Sequence, residues 1–171
     1  MRVLVLSDNH RITSTIYKII DKVQPVMIFH LGDGEGSVIE LSERTHLPIH
    51  AVAGNCDFGR ESLPKNLVVN LGNRQILLTH GHLYGVKSGH ERLVYEAKER
   101  GCDTVIYGHT HVPEIEEVDG VTVMNPGSIE WPKQFDMMQS FGIINVDDNG
   151  NCEFAIRYWD DGEILWRPYR D

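Results

Sequence analysis

Five short strings in this chain carry side chains that ligate divalent cations: Ser7-Asp8-Asn9-His10, Gly32-Asp33, Gly54-Asn55-Cys56-Asp57, Thr79-His80-Gly81-His82 and Gly108-His109-Thr110-His111. Asp8 and His10 stand two residues apart, as do His109 and His111. A strand sends i and i+2 to one face, and at a strand end, where the chain begins to turn, such a pair converges on one ion. Asp33 stands alone behind its glycine, and its two carboxylate oxygens can bridge two ions. Asn55 offers a neutral carbonyl oxygen and His80 a further imidazole. Mixed carboxylate and imidazole donors suit manganese, iron or zinc, whereas calcium prefers oxygen alone. The expected chemistry is that of a two-metal site.

Each string follows a run with strand character, so the elements between them read as scaffold. Val3-Leu4-Val5-Leu6 is a continuous apolar run that suits a strand buried on both faces, with Ser7 to Arg11 as the loop at its C-terminal end. Ile16, Ile19, Ile20 and Val23 form a helical stripe over 13–23, stopped by Pro25. Val26 to Leu31 repeats the strand pattern and delivers Gly32-Asp33. A second helix over 38–44 ends before Pro48, and a third strand over 49–53 delivers Gly54-Asn55-Cys56-Asp57. Three such units in succession predict a largely parallel sheet with right-handed crossovers.

The pattern then changes. Leu67 to Leu71 and Gln75 to Thr79 flank Gly72-Asn73-Arg74, a hairpin signal, and the second of these strands ends at His80. A helix over 88–100, with Leu93, Val94 and Ala97 inward and Gly101 as its stop, leads to a strand over 104–107 and the Gly108 loop. From Ile115 the text is β throughout: strands over 115–118 and 121–124 around Asp119-Gly120, then 141–146 and 152–158 around Asp147 to Gly150. These predict a second, mainly antiparallel sheet, interrupted by the tight turn Asn125-Pro126-Gly127-Ser128. Residues 130–139 have no assigned element.

The bulk composition narrows the function classes. A chain of 171 residues with 41% hydrophobic content predicts one domain spanning 1–171. With 16 Lys+Arg against 25 Asp+Glu, the net charge is -9, and the basic residues are scattered, which argues against an extended nucleic-acid footprint. Cys56, Cys102 and Cys152 form no C-x-x-C pair, so neither a disulfide framework nor a structural zinc site is expected, and a reducing cytoplasm fits. Val3 to Leu6 is far shorter than a signal-peptide core, and no apolar stretch approaches the ~20 residues that span a bilayer, so no membrane association is expected.

Taken in order, D-x-H, G-D, G-N-x-D, H-G-H and G-H-T-H resemble the motif series of the calcineurin-like metallophosphoesterase superfamily, over Asp8 to Ser128. Gly54-Asn55-Cys56-Asp57, Leu78-Thr79-His80-Gly81-His82-Leu83-Tyr84-Gly85 and Asn125-Pro126-Gly127-Ser128 resemble its small bacterial and archaeal phosphodiesterase branch, which also includes Vps29. The resemblance implies a four-layer α/β/β/α sandwich, the metallo-dependent phosphatase fold. It implies Asp8, His10 and His111 on one ion, Asn55, His80 and His109 on a second, and Asp33 bridging. Two divalent ions would hold a hydroxide between them for in-line attack on a small phosphodiester. Manganese is the first expectation for the metal, with nickel, iron(II) and zinc as alternatives. Assembly as a homodimer or homotetramer is also implied.

The chain departs from the larger enzymes at Cys56, where they usually carry a histidine that assists the leaving group. That substitution predicts a preference for phosphodiesters with good leaving groups, and it leaves His82 as the candidate for contacting substrate or donating the proton. Asn55 is counted with it among the catalytic candidates. Asp57 is either a partner orienting a ligand or a helix N-cap, and Arg11 either touches phosphate or is simply exposed. Asn125 and Ser128 read as turn-shaping residues. His30, His46, His50 and His90 read as structural or surface histidines. Trp131 and Phe135 wall the pocket, join a subunit contact or anchor their loop. A non-catalytic interaction scaffold of the Vps29 type is the rival function, and the filled ligand positions weigh against it.

Overall fold

The computed structural model describes residues 1–58 and 62–165. The expected single domain over 1–171 includes residues outside that range. Strand β1 (Arg2–Leu6) leads through helix α1 (Ser14–Val23) to β2 (Met27–His30), and helix α2 (Ser37–Thr45) leads on to β3 (Ile49–Ala51). The hairpin β4 (Asn66–Leu71) and β5 (Arg74–Thr79) follows, then helix α3 (Glu91–Glu99) and β6 (Thr104–Ile106). Five strands close the chain: β7 (Glu114–Val118), β8 (Val121–Asn125), β9 (Gln139–Val146), β10 (Cys152–Asp160) and β11 (Glu163–Leu165).

Two mixed sheets result, in the orders β11-β10-β9-β1-β2-β3 and β4-β5-β6-β8-β7. In the first, β1, β2 and β3 run parallel, with Val3 opposite Met27 and Ile28 opposite Ile49. In the second, β5, β6 and β8 run parallel while β4 and β7 are antiparallel edges.

The period of two in β1 sorts its side chains between two cores. Val3 and Val5 face the second sheet, packing with Phe29, Ile76, Leu78 and Ile106. Leu4 and Leu6 face outward, onto Ile16, Ile19 and Val23 of α1 and Leu41 of α2. On the far side, Leu93, Val94 and Ala97 of α3 cover Leu77, Val105 and Val123. The layers are therefore helix, sheet, sheet, helix, as expected. A fully buried aliphatic side chain contributes about 1.5–3 kcal/mol relative to exposure, so a strand such as β1, buried on both faces, is held by two cores at once.

The helices begin and end close to their predicted limits, except that α3 starts at Glu91 rather than near residue 88. The allotment of the C-terminal strands differs more. Expected in a separate antiparallel sheet, β9 and β10 instead extend the first one, with β9 antiparallel to β1 (Val3 opposite Ile144). Only β7 and β8 join the second sheet. Gly142, opposite Val5, packs closely beneath the second sheet: a Cβ there would come within 2.3 Å of Met124 Cε. The short β11, paired with β10 around Asp161-Gly162, was not anticipated. No helix among the described residues is long and apolar enough to cross a membrane.

Candidate metal centre

The parallel strands of both sheets deliver the five strings to one place. Backbone bonds tie the loops together within each sheet: the Asp8 and His10 N–H groups donate to the Gly32 and Asp33 carbonyls at 3.1 and 3.0 Å, and Gly108 N–H donates to the His80 carbonyl at 3.1 Å. Side chains tie the sheets to each other. Asp8 Oδ2 accepts from the Ser7 hydroxyl at 2.5 Å and from His109 N–H at 3.0 Å, and the Ser128 hydroxyl donates to the Asp8 carbonyl at 2.8 Å.

Close approach of these loops needs glycine. A Cβ on Gly54 would stand 2.0 Å from Asp33 Oδ1, and one on Gly108 would stand 1.9 Å from Ser7 Oγ. The backbone is strained at the functional side chains themselves. Asp8, His10, Asp33, His109 and His111 all have positive φ, between 41° and 68°, and neighbouring Arg11 and Glu35 are positive too, at 74° and 52°. Such conformations cost non-glycine residues on the order of 1 kcal/mol or more each and cluster where function requires them.

The hydrogen bonds of three histidines fix what the centre can hold. His111 Nδ1 donates to the Trp131 carbonyl at 2.7 Å, His80 Nδ1 to the Leu31 carbonyl at 2.6 Å, and His10 Nδ1 to Glu35 Oε1 at 2.9 Å. In the neutral rings each Nε2 is then a bare lone pair. His111 Nε2 lies 3.1 Å from Asp8 Oδ1, which the Oδ2 contacts leave without a hydrogen-bond donor. His80 Nε2 faces Asn55 Oδ1 at 3.2 Å, Asp33 Oδ2 at 3.4 Å and Asp8 Oδ1 at 4.0 Å. His10 Nε2 is buried with no partner. Acceptors converge on acceptors, an arrangement that only a cation or a trapped proton satisfies.

The titration of the centre follows the same logic. Burial alone would push His80 down, yet the Asp33 and Asp8 carboxylates raise it, the direction expected of a ring nitrogen that faces anionic oxygens. Burial works to raise Asp8 and Asp33, but the His111 and His80 rings overcome it and both carboxyls are lowered. His109, pushed down to about 4 by burial, by the His80 charge and by Lys87, stays a neutral donor.

Among the described residues four groups of donor atoms each fall within 4.8 Å of one another; two of them, Asp8, His10 and His111, and Asp8, Asp33 and His80, consist of expected ligands, a third joins His10 to Glu35 and Cys56, and the fourth, His90, Glu114 and Glu116, contains no expected ligand. Asn55 joins the second group, its Nδ2 donating to Cys56 Sγ so that its Oδ1 turns toward His80. The His109 ring stands 5.2 Å from that of His80 and 6.2 Å from that of His82. The His82 ring is 5.3 Å from that of His80, and its Nδ1 is buried and unpartnered. The structure thus brings all seven expected ligands and His82 together.

The residues around them resolve several open readings. Among the described residues Asp57 caps no helix; its Oδ2 accepts from the Asp33 and Gly54 N–H groups at 2.7 and 2.8 Å and its Oδ1 from Glu35 N–H at 2.6 Å. Arg11 is 58% exposed and pairs with Glu35 at 3.0 Å. Cys56 donates its N–H to Asp33 Oδ1 at 2.8 Å, while burial and that carboxylate push its thiol up to about 11. Asn125 binds the Gly108 carbonyl and the Thr110 hydroxyl, both at 2.9 Å, which makes it a clamp on the His109 loop as well as a turn residue. Trp131 stacks on His10 at 4.3 Å and walls the centre, whereas Phe135 is fully exposed. Glu35 was missed as a site residue, since nothing in its spacing marks it as the partner of a histidine in another loop.

The Calcineurin-like phosphoesterase superfamily domain model matches residues 1–149. The chain belongs to this superfamily. Among superfamily proteins it is 32% identical over 162 residues to the probable metallophosphoesterase YsnB of Bacillus subtilis, covering 94% of this chain and 91% of that one. Phosphodiesterase YfcE of Escherichia coli is 32% identical over 114 residues, 63% of this chain and 57% of that protein. A solved zinc complex of wild-type Vps29 from Entamoeba histolytica superimposes with a TM-score of 0.81 at 25% identity, over 98% of this chain and 97% of that one. Calcineurin-like phosphoesterases take divalent metal ions, and the donor set here is chemically suited to them.

Proposed function

We propose that this chain is a divalent-metal-dependent phosphodiesterase acting on a small phosphodiester, with manganese as its first-choice ion. The observation that carries the reading is the convergence of bare acceptors: Asp8 Oδ1 and the Nε2 atoms of His10, His80 and His111 have no proton donor facing them. Asp8, His10 and His111 would hold one ion, and Asn55, His80 and His109 the other, with Asp33 shared. When bound, the ions lower the pKa of water and neutralise charge on the phosphate.

The chain's own groups do the rest. Glu35, the Trp131 carbonyl and the Leu31 carbonyl orient the three imidazoles through their Nδ1 protons. His82 hydrogen-bonds the leaving-group oxygen. Burial and the His80 charge lower its pKa. Cys56, its thiol raised to about 11, is neither nucleophile nor acid. All three cysteines are free thiols, which suits a reducing cytoplasm.

Manganese-loaded protein is expected to cleave bis(p-nitrophenyl) phosphate far faster than an alkyl phosphomonoester, with activity removed by chelation and restored by metal. His82→Ala should lower turnover by about 10²-fold or more and flatten the pH profile. A protein that binds no divalent ion and leaves the diester intact would instead support the scaffold reading, which the Vps29-like fold alone favours. Self-association as a dimer or tetramer, testable by sedimentation, would cover the exposed Trp131, Phe135 and Met137.

A further inference from the structure

A groove of about 530 Å³ is lined by Thr110, the residue between the candidate ligands His109 and His111, and is large enough for a ligand of nucleoside size. Val86, Val112 and the Tyr107 ring give it an apolar side. Lys87 and Lys133 bring two ammonium groups to the same lining. The backbone of one is tied to the centre: Lys133 N–H donates to the His111 carbonyl at 3.1 Å.

Among the described residues neither lysine is in an ion pair. In a chain of net charge -9, two unpaired cations at one groove are a local reversal of sign that attracts an anion. Glu114 also faces the groove, but its carboxylate is engaged by the Tyr107 hydroxyl and lies 2.9 Å from His90 Nε2. The opposite ring nitrogen of His90 is 2.5 Å from Glu116. The Glu114 carboxylate is thus turned toward Tyr107 and His90, whereas neither lysine has a charged partner among the described residues.

We infer that this groove receives one ester arm of the substrate and that this arm carries a second anionic group, a phosphate or carboxylate, held by Lys87 and Lys133. The inference rests on the phosphodiesterase reading and specifies its substrate class. The phosphodiester undergoing cleavage would sit at the centre, with the ring or chain of its arm against Val86, Val112 and Tyr107.

The test compares thymidine 5'-(p-nitrophenyl phosphate) with the same ester bearing a 3'-phosphate, using manganese-loaded wild type and the Lys87→Gln/Lys133→Gln double variant. The quantity read is the ratio of kcat/KM for the two esters within each protein, which cancels any general effect of the substitutions. Wild type should favour the 3'-phosphorylated ester by about tenfold, and the double variant by about twofold or less. Equal kcat/KM values in wild type, or a ratio the double variant leaves unchanged, would overturn the assignment. Failure to cleave either ester or bis(p-nitrophenyl) phosphate would sink the phosphodiesterase reading instead. Calorimetry then decides the groove: tighter binding of thymidine 3',5'-bisphosphate than of thymidine 5'-phosphate, lost in the double variant, sustains it, and equal affinities refute it.

Discussion

Replacing Asp57 by asparagine should unfasten two of the five loops that build the centre. The carboxylate is 9% exposed and accepts three backbone N–H bonds, from Asp33, Gly54 and Glu35, at 2.6–2.8 Å. Hydrogen bonds to a charged group contribute about 1.5–3 kcal/mol each, against about 1 for a neutral pair. Asparagine keeps one acceptor oxygen and turns an NH₂ group toward the N–H on the other side. With the oxygen in the Oδ2 position, the Asp33 and Gly54 bonds survive as neutral ones and the Glu35 bond becomes a repulsion. Losing one charge-assisted bond and weakening two more comes to about 3 kcal/mol, a large share of a total stability of about 5–15 kcal/mol. The assay is urea unfolding followed by circular dichroism in chelator, so that metal binding does not enter. A lower midpoint with an unchanged slope is expected. A loss below about 1 kcal/mol would show that the three N–H groups find other partners and that Asp57 does not anchor these loops.

Three further substitutions separate the roles of neighbouring groups. Glu35→Gln removes the carboxylate that holds His10 Nδ1, and manganese affinity measured by titration calorimetry should fall by about 10–100-fold; unchanged affinity would remove Glu35 from the centre. His30 is fully buried and its pKa is pushed down to about 4 from 6.5 by burial; its Nδ1 accepts from Gly32 N–H. Between these values the unfolded chain binds a proton that the native chain refuses, so stability is intact above pH 6.5 and falls by about 3 kcal/mol toward pH 4. In chelator, wild type should lose that much more over this window than His30→Gln; parallel curves would refute the assignment. Cys56→Ser should keep most of the phosphodiesterase activity, because a thiol raised to about 11 is protonated near neutrality. Loss of activity with metal content preserved would give the sulfur a role that its protonation state denies.

The four-layer fold was legible from the motif series, and the candidate site from local strings. Candidate ligands stand out because strand ends, glycines and short spacings occur together locally, as at Gly108-His109-Thr110-His111. The hairpin at Gly72-Asn73-Arg74 and the stripe at Ile16, Ile19 and Val23 were visible for the same reason. The membership of β9 was not. A strand's own pattern states how many faces it buries and says nothing about which edge it joins, and β9 pairs with β1 through contacts over a hundred residues apart in sequence. Glu35 escaped for a related reason, and Asp57 was legible only as a choice between a partner orienting a ligand and a helix N-cap. Their partners lie in other loops, 22 to 25 residues away, and no periodicity reports such a meeting. The positive φ of Asp8 and His10 is likewise imposed from outside, by bonds to Gly32 and Asp33.

The loops from the two sheets are joined to each other by the contacts of Asp8 with His109 and Ser128 and of His80 with Leu31. The centre therefore has no private unit of stability. Opening it means parting the sheets that enclose Val5, Ile106 and Met124. Native-state hydrogen exchange at the Asp8 amide, bonded to Gly32, and at the Tyr107 amide, bonded to Met124, then proceeds through one shared opening event. An ion bound between the sheets slows exchange across both, so that metal occupancy is written into the slowest amides of the whole molecule.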